Sequence, residues 1–117
     1  MDIWSDESVQ GRIADSVPVF VLTSRRTFSA GEAFAYQLQM LKRATIVGEV
    51  TGGGARPSRP RRLDDHFAIN VPYARMINPV SGTDWEGVGV QPDVRVSEGD
   101  ALDTARRLAA ARLAQRR

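Results

Sequence analysis

A hydroxyl in the run Thr27-Phe28-Ser29-Ala30-Gly31-Glu32 is the group in this sequence best placed for chemistry. Upstream, residues 17–23 (Val-Pro-Val-Phe-Val-Leu-Thr) form a nearly continuous apolar run with β-branched members, the pattern of a strand buried on both faces. Downstream the spacing turns helical. Ser29 therefore stands at the junction of a strand and a helix N-terminus, where first-turn N–H groups lack intrahelical acceptors and the helix dipole presents its positive end. An oxyanion forming beside Ser29 is stabilised there, which is what acyl transfer through a serine nucleophile requires. The same pattern has a second meaning: serine is a preferred N-cap, and Glu32, three residues on, completes a capping box.

The groups able to move a proton for such a nucleophile are few. His66 has the right intrinsic pKa but stands beside Asp64-Asp65 at the end of a loop, where a lone histidine is usually a solvated surface group. Lys42, the only lysine, follows Ser29 by thirteen residues. At about 1.5 Å per residue that is about 20 Å along a helix, out of reach. Arginine keeps its proton to above about pH 12 and offers no lone pair, so a Ser/Lys dyad is excluded within the chain. Gly52-Gly53-Gly54 is followed by Ala55-Arg56-Pro57, not by the Gly-Lys-Ser/Thr ending of a phosphate loop. Its glycines read instead as a turn that allows positive φ and close backbone approach at a cleft wall. Beyond it, Arg59 and Arg61 are candidates to attract an acidic peptide segment or a free C-terminal carboxylate.

The elements that must position these groups follow from periodicity. Ala30, Phe34, Leu38 and Leu41 recur at helical spacing, broadened by Ala33 and Tyr36, and predict a helix over about 29–42. Residues 44–50 (Ala-Thr-Ile-Val-Gly-Glu-Val) are a second apolar strand, so a right-handed parallel crossover is the default topology. Residues 51–66 break every pattern and read as one long Gly/Arg/Pro-rich loop. Phe67, Ile69, Val71 and Tyr73 then alternate with small or polar residues, predicting a half-buried strand that Pro72 places at an edge or bend. Residues 88–94 form a short extended piece. A terminal helix is predicted over 100–115, with Asp100 as N-cap and Leu102, Ala105, Leu108 and Ala109 on its apolar side.

Composition sets the outer limits. With 117 residues, 42% hydrophobic, 26% charged, net charge +2 and no cysteine, the chain fits a single globular unit, and disordered, collagen-like and disulfide-stapled classes are excluded. Thiolate metal sites and cysteine nucleophiles are excluded with them. Residues 56–62 and 101–117 each carry +4, which leaves −6 on the remainder. The basic residues thus occupy one loop and one terminal helix, not an aromatic-interleaved face, so nucleic acid is not an expected partner. No window reaches the roughly 18 apolar residues of a membrane span. Met1-Asp2-Ile3-Trp4-Ser5-Asp6 lacks the basic start and apolar stretch of a signal peptide, so localisation is not fixed by the sequence, and if the parent is exported to the periplasm its signal is expected outside this sequence.

The order of four segments carries a family resemblance. These are Val19-Phe20-Val21-Leu22-Thr23-Ser24; Thr27-Phe28-Ser29-Ala30-Gly31-Glu32; residues 41–54, ending in Val47-Gly48-Glu49-Val50-Thr51-Gly52-Gly53-Gly54; and Trp85-Glu86-Gly87-Val88-Gly89-Val90-Gln91-Pro92-Asp93-Val94. Together they resemble the tail-specific, or C-terminal processing, serine peptidases over about 17–96, nearest to the branch of interphotoreceptor retinoid-binding protein and its bacterial relatives. The resemblance implies an α/β fold with a crotonase/ClpP-like β-β-α core, mostly parallel strands and flanking helices. It implies no cofactor and no metal, a peptide or protein substrate, Ser29 as nucleophile and the Ala30 backbone N–H as an oxyanion donor. It makes residues 1–117 the C-terminal part of a larger catalytic domain, inactive when isolated. The glycine turn lacks the dyad lysine of the better-known members. In a branch similar to tricorn protease a histidine from an earlier segment is oriented by an acid, which Glu86 matches; otherwise Glu86 is an exposed turn residue or an arginine's partner. The alternative within the same family is a non-catalytic module holding a retinoid, fatty acid or other apolar ligand in a cleft lined by Phe28, Phe34, Tyr36 and Phe67. Uncovered apolar faces also leave a homo-oligomer as an expected assembly.

Overall fold

The computed structural model describes residues 16–115. The first apolar run forms β1 (Val19–Thr23) and the second forms β2 (Ala44–Gly48). They pair parallel, from Val19 opposite Ala44 to Thr23 opposite Gly48, with α1 (Ala30–Met40) as the crossover. After a separate antiparallel hairpin of β3 (Ser58–Arg62) and β4 (Ala68–Pro72), β5 (Val94–Arg95) returns parallel to the other side of β2. The chain ends in α2 (Glu98–Ala114).

β2 is the centre of the fold because its side chains alternate between two cores. Ile46 is fully buried with Ala35 and Tyr36 of α1 and with Ala55, Trp85 and Val90. Val47, the next residue, is fully buried on the opposite face with Ala101 and Ala105 of α2. Each of these two aliphatic side chains contributes about 1.5–3 kcal/mol by leaving water. The result is a parallel sheet with a helix on each face, as the α/β pattern predicts. Asp93 closes the arrangement: its carboxylate accepts the Ile46 N–H at 2.7 Å and the Gln39 amide at 2.9 Å.

Several expectations are corrected. The stretch 51–66 is not a continuous loop, since its Arg/Pro run forms β3 against β4. The strand expected to be half-buried, β4, is exposed along its whole length because only β3 pairs with it. β1 is not buried on both faces: of its residues only Thr23 is buried, as β1 is one of the two edge strands of the sheet. On α1 the buried positions are Glu32, Ala35 and Tyr36, whereas Phe34 and Leu41 are 59% and 65% exposed. The helix turns this way because small Ala35 allows close approach to β2, Tyr36 packs on Trp85 with ring centroids 5.2 Å apart, and Glu32 meets backbone donors. On α2 the N-cap is Ser97, whose hydroxyl accepts the Asp100 N–H, and the inward residues are Ala101, Thr104 and Ala105, with Leu102 outside.

Candidate active site

Ser29 is the N-cap of α1 and lies in the left-handed region, with φ 52° and ψ −114°. A non-glycine residue held there costs about 1–3 kcal/mol and persists only where its surroundings over-determine it. They do so here from both sides. The preceding turn is closed by Thr27 N–H to Ser24 O at 2.9 Å and Ser24 N–H to the Thr27 hydroxyl at 3.0 Å. On the helix side, Ser29 O accepts the Ala33 N–H at 2.9 Å, and the Ser29 N–H donates to Glu32 Oε2 at 2.8 Å. The strand–turn–helix geometry leaves Ser29 exposed. Gly31 N–H is used by Phe28 O, whereas no carbonyl among the described residues accepts from the Ala30 N–H. That donor is free to meet an oxyanion beside Ser29.

Glu32 is fully buried, yet both of its oxygens are occupied. Oε1 accepts the Thr51 hydroxyl at 2.5 Å and the Gly53 N–H at 2.6 Å. Oε2 accepts the Gly54 N–H at 2.8 Å as well as that of Ser29. Burial works to raise the Glu32 pKa, and these hydrogen bonds outweigh it, holding the carboxyl below its ordinary value. The Thr51 hydroxyl in turn accepts the Val90 N–H at 2.7 Å. The glycine turn is thereby fastened to the start of α1 and to the segment after Trp85. Gly53 needs its positive φ of 84°, and the Phe28 ring lies so close over Gly54 that a Cβ there would sit 2.2 Å from it.

Ser29, Ala30, Ala33, Gly54, Ala55, Arg56, Pro57, Met76 and Trp85 line one cleft of about 190 Å³. Met76 and Trp85 also line a larger neighbouring cavity of about 320 Å³ with Tyr36, Leu41, Ile77 and Val80. Glu86 lies behind the cleft wall: it accepts the Ala55 N–H at 2.6 Å and stands 3.8 Å from Arg56. Asp84, its side chain only 8% exposed, faces Arg56 at 3.8 Å and Arg75 at 3.4 Å. The Glu86 N–H lowers the Asp84 pKa most, burial opposes it, and the two arginines add to the lowering.

The structure thus brings Ser29, Ala30 and Gly54 together, ties Gly52 in through its N–H to Thr27 O at 3.0 Å, and sets Glu86 beside the cleft wall. It does not bring His66 there. His66 sits on the tip of the β3–β4 hairpin, its N–H on Asp64, in a separate surface hollow. Arg59 and Arg61 lie on β3, exposed, with the Arg59 guanidinium 4.5 Å from the centre of the Tyr73 ring. Lys42 lines a hollow at the far end of α1. Arg56 is the arginine in the cleft. Among the described residues no cluster of His, Cys, Asp and Glu is suited to a metal, and no helix is long and apolar enough to cross a membrane. Sequence reasoning gave Glu32 only a capping role and passed over Thr51. The available signal was a threonine leading directly into three glycines whose N–H groups need an acceptor.

The model of peptidase family S41 matches residues 4–96. A carboxy-terminal-processing protease of Bartonella bacilliformis is 31% identical over 97 residues, covering 83% of this chain and 22% of that protein. The chloroplastic C-terminal processing peptidase of Tetradesmus obliquus is 38% identical over 90 residues, covering 76% of this chain and 19% of that protein. A solved structure of a photosystem II D1 C-terminal processing protease superposes with a TM-score of 0.58 at 36% identity, over 69% of this chain and 21% of that one. The chain spans about a fifth of the length of these relatives. With the matched region running from before β1 through β5 and containing the whole Ser29 cleft, the chain belongs to peptidase family S41.

Proposed function

We propose that this chain carries the nucleophile of a serine-type peptidase that hydrolyses peptide bonds in unstructured or C-terminal segments. The observation that carries this reading is the left-handed Ser29 at the open strand–helix junction, beside the free Ala30 N–H. Family membership and the names of the relatives support it. In this reading the Ser29 hydroxyl attacks the scissile carbonyl carbon and gives up its proton to a base. The Ala30 N–H helps hold the tetrahedral oxyanion, which collapses to an acyl-enzyme as the protonated amine leaves. Water then attacks the ester, releases the new C-terminus and restores the serine. Lys42 and His66 stand outside the cleft, so the base is contributed from beyond the described residues. Residues 1–117 then form one part of a crotonase/ClpP-like catalytic domain. Glu86 acts by fixing Ala55 and Arg56, and the apolar lining by Ala33, Ala55, Met76 and Trp85 receives an apolar side chain of the substrate.

A phosphonate probe that reacts with activated serines tests this on the whole protein. The expected result is a single adduct that peptide mapping places on Ser29; stable labelling elsewhere, with Ser29 unmodified, contradicts it. One observation favours a second reading, the binding of an apolar ligand: the cavity lined by Tyr36, Leu41, Met76, Ile77, Val80 and Trp85. It predicts no adduct at Ser29 and saturable quenching of Trp85 fluorescence by a fatty acid or retinoid.

A further inference from the structure

We infer that Glu32 is the positioning residue of this site: its buried carboxylate sets the distance and orientation between the Ser29 backbone and the glycine turn that forms the facing wall of the cleft. The inference rests on the reading of Ser29 as nucleophile. A capping role needs one acceptor for one N–H. Glu32 instead accepts from Ser29, Thr51, Gly53 and Gly54, which fills the four or so acceptor positions of a carboxylate. Three of the four donors lie outside the helix, and one of them, Gly54, lines the cleft directly. Ser29 and Gly54, both in the cleft lining, hang from the same oxygen, Oε2, at 2.8 Å each. The width between nucleophile and wall is therefore fixed through one atom.

The demand is for a carboxylate. Glutamine in this place keeps one acceptor oxygen and turns its NH2 group either toward the Ser29 and Gly54 N–H groups or toward the Gly53 N–H and the Thr51 hydroxyl, so at least one backbone donor loses its acceptor. Charge alone does not explain the choice. A fixed anion next to the Ser29 backbone disfavours both a serine alkoxide and the oxyanion, so Glu32 works against the charge that develops in the reaction. Its helix-N-terminal location offsets part of that cost, because the dipole there favours an anion. What remains is geometry. Held this way, Ser29 keeps its left-handed φ with Ala30 beside it in the cleft lining, and the turn residues stay in place. Misplacement by about 1 Å costs on the order of 100-fold in rate, whereas substrate contacts made by Met76, Trp85 and Arg56 are left alone.

The test compares wild type and Glu32→Gln in the whole protein, with kcat expressed per folded molecule measured by circular dichroism. The expected result is a kcat lower by about 100-fold with KM unchanged within a few-fold. An unchanged kcat per folded molecule, or a loss confined to KM, overturns the proposal. Should Glu32→Gln not fold, wild type with isotopically labelled serine and glycine gives the answer by NMR. The amides of Ser29, Gly53 and Gly54 are expected to shift together in a single acid titration, because one carboxylate holds them; three unrelated titrations overturn the clamp. That readout is independent of whether Ser29 is the nucleophile, which Ser29→Ala decides separately.

Discussion

The Thr51 hydroxyl donates to Glu32 Oε1 at 2.5 Å while accepting the Val90 N–H at 2.7 Å. One small side chain thus links the helix capped by Ser29 to the segment after Trp85. Thr51 and Val90 are 7% and 1% exposed, so neither partner has water to fall back on. Thr51→Val keeps the shape and removes both hydrogen bonds. The Val90 N–H left unpaired costs about 1–3 kcal/mol and the lost bond to the Glu32 carboxylate, whose Oε1 keeps the Gly53 N–H, about 1 more, so the expected destabilisation is about 2–4 kcal/mol in urea unfolding. A loss below about 0.5 kcal/mol contradicts the linkage.

The folded Glu32 carboxyl titrates below its ordinary value of 4.5 despite its burial. A lowered folded pKa gives stability that is complete above the unfolded value and is lost as pH falls through the folded one. Asp84, lowered from 3.8 chiefly by the Glu86 N–H, acts in the same direction at slightly lower pH. The unfolding midpoint is therefore expected to fall steeply below about pH 4.5 in wild type and less steeply in Glu32→Gln. Parallel pH curves for the two proteins contradict this account of the buried carboxylate.

Two glycines of one motif are expected to behave differently. Gly89 has φ 71°, and a Cβ there would sit 2.3 Å from the Thr51 carbonyl oxygen; Gly87 has φ 72° with open space around it. Gly87→Ala pays only the backbone term, about 1–2 kcal/mol. Gly89→Ala must also push the backbone away from Thr51, and should lose several times as much or fail to fold. Equal thermal shifts for both variants contradict the packing described here.

These motifs show where sequence reasoning reaches and where it stops. The parallel β1–β2 pair, the crossover helix and Ser29 at its start were legible because apolar runs and the change of period are local features. The inward face of α1 was not. Phe34 and Leu41 are apolar but exposed, and Glu32 is charged but buried, because donors from Thr51, Gly53 and Gly54 arrive from about twenty residues away. The β3–β4 hairpin was half legible: the alternation through Phe67, Ile69, Val71 and Tyr73 marked β4, while the arginines and prolines of β3 hid its partner. Asp93 was visible only as a turn residue, and its hold on the Ile46 N–H is long-range.

Among the arginines the effect on peptide turnover is expected to follow position. Arg56 lines the Ser29 cleft between Asp84 and Glu86, whereas Arg59 packs on Tyr73 in the exposed hairpin and Arg61 shares that strand. Arg56→Ala is expected to lower kcat/KM by about tenfold, which corresponds to the roughly 1.4 kcal/mol of a modest polar contact. Charge reversal at Arg59 and Arg61 is expected to leave kcat/KM unchanged at low salt. The opposite ranking contradicts the placement of the substrate in this cleft.

The central claim is that the Ser29 hydroxyl cleaves peptide bonds. Its most direct measurement is the hydrolysis of an unstructured peptide mixture by the whole protein and by Ser29→Ala, read by mass spectrometry after both are shown to fold alike. The account predicts new C-termini with wild type and a kcat/KM lower by at least about 1,000-fold with Ser29→Ala. Equal cleavage by the two proteins, or none by either, would contradict it.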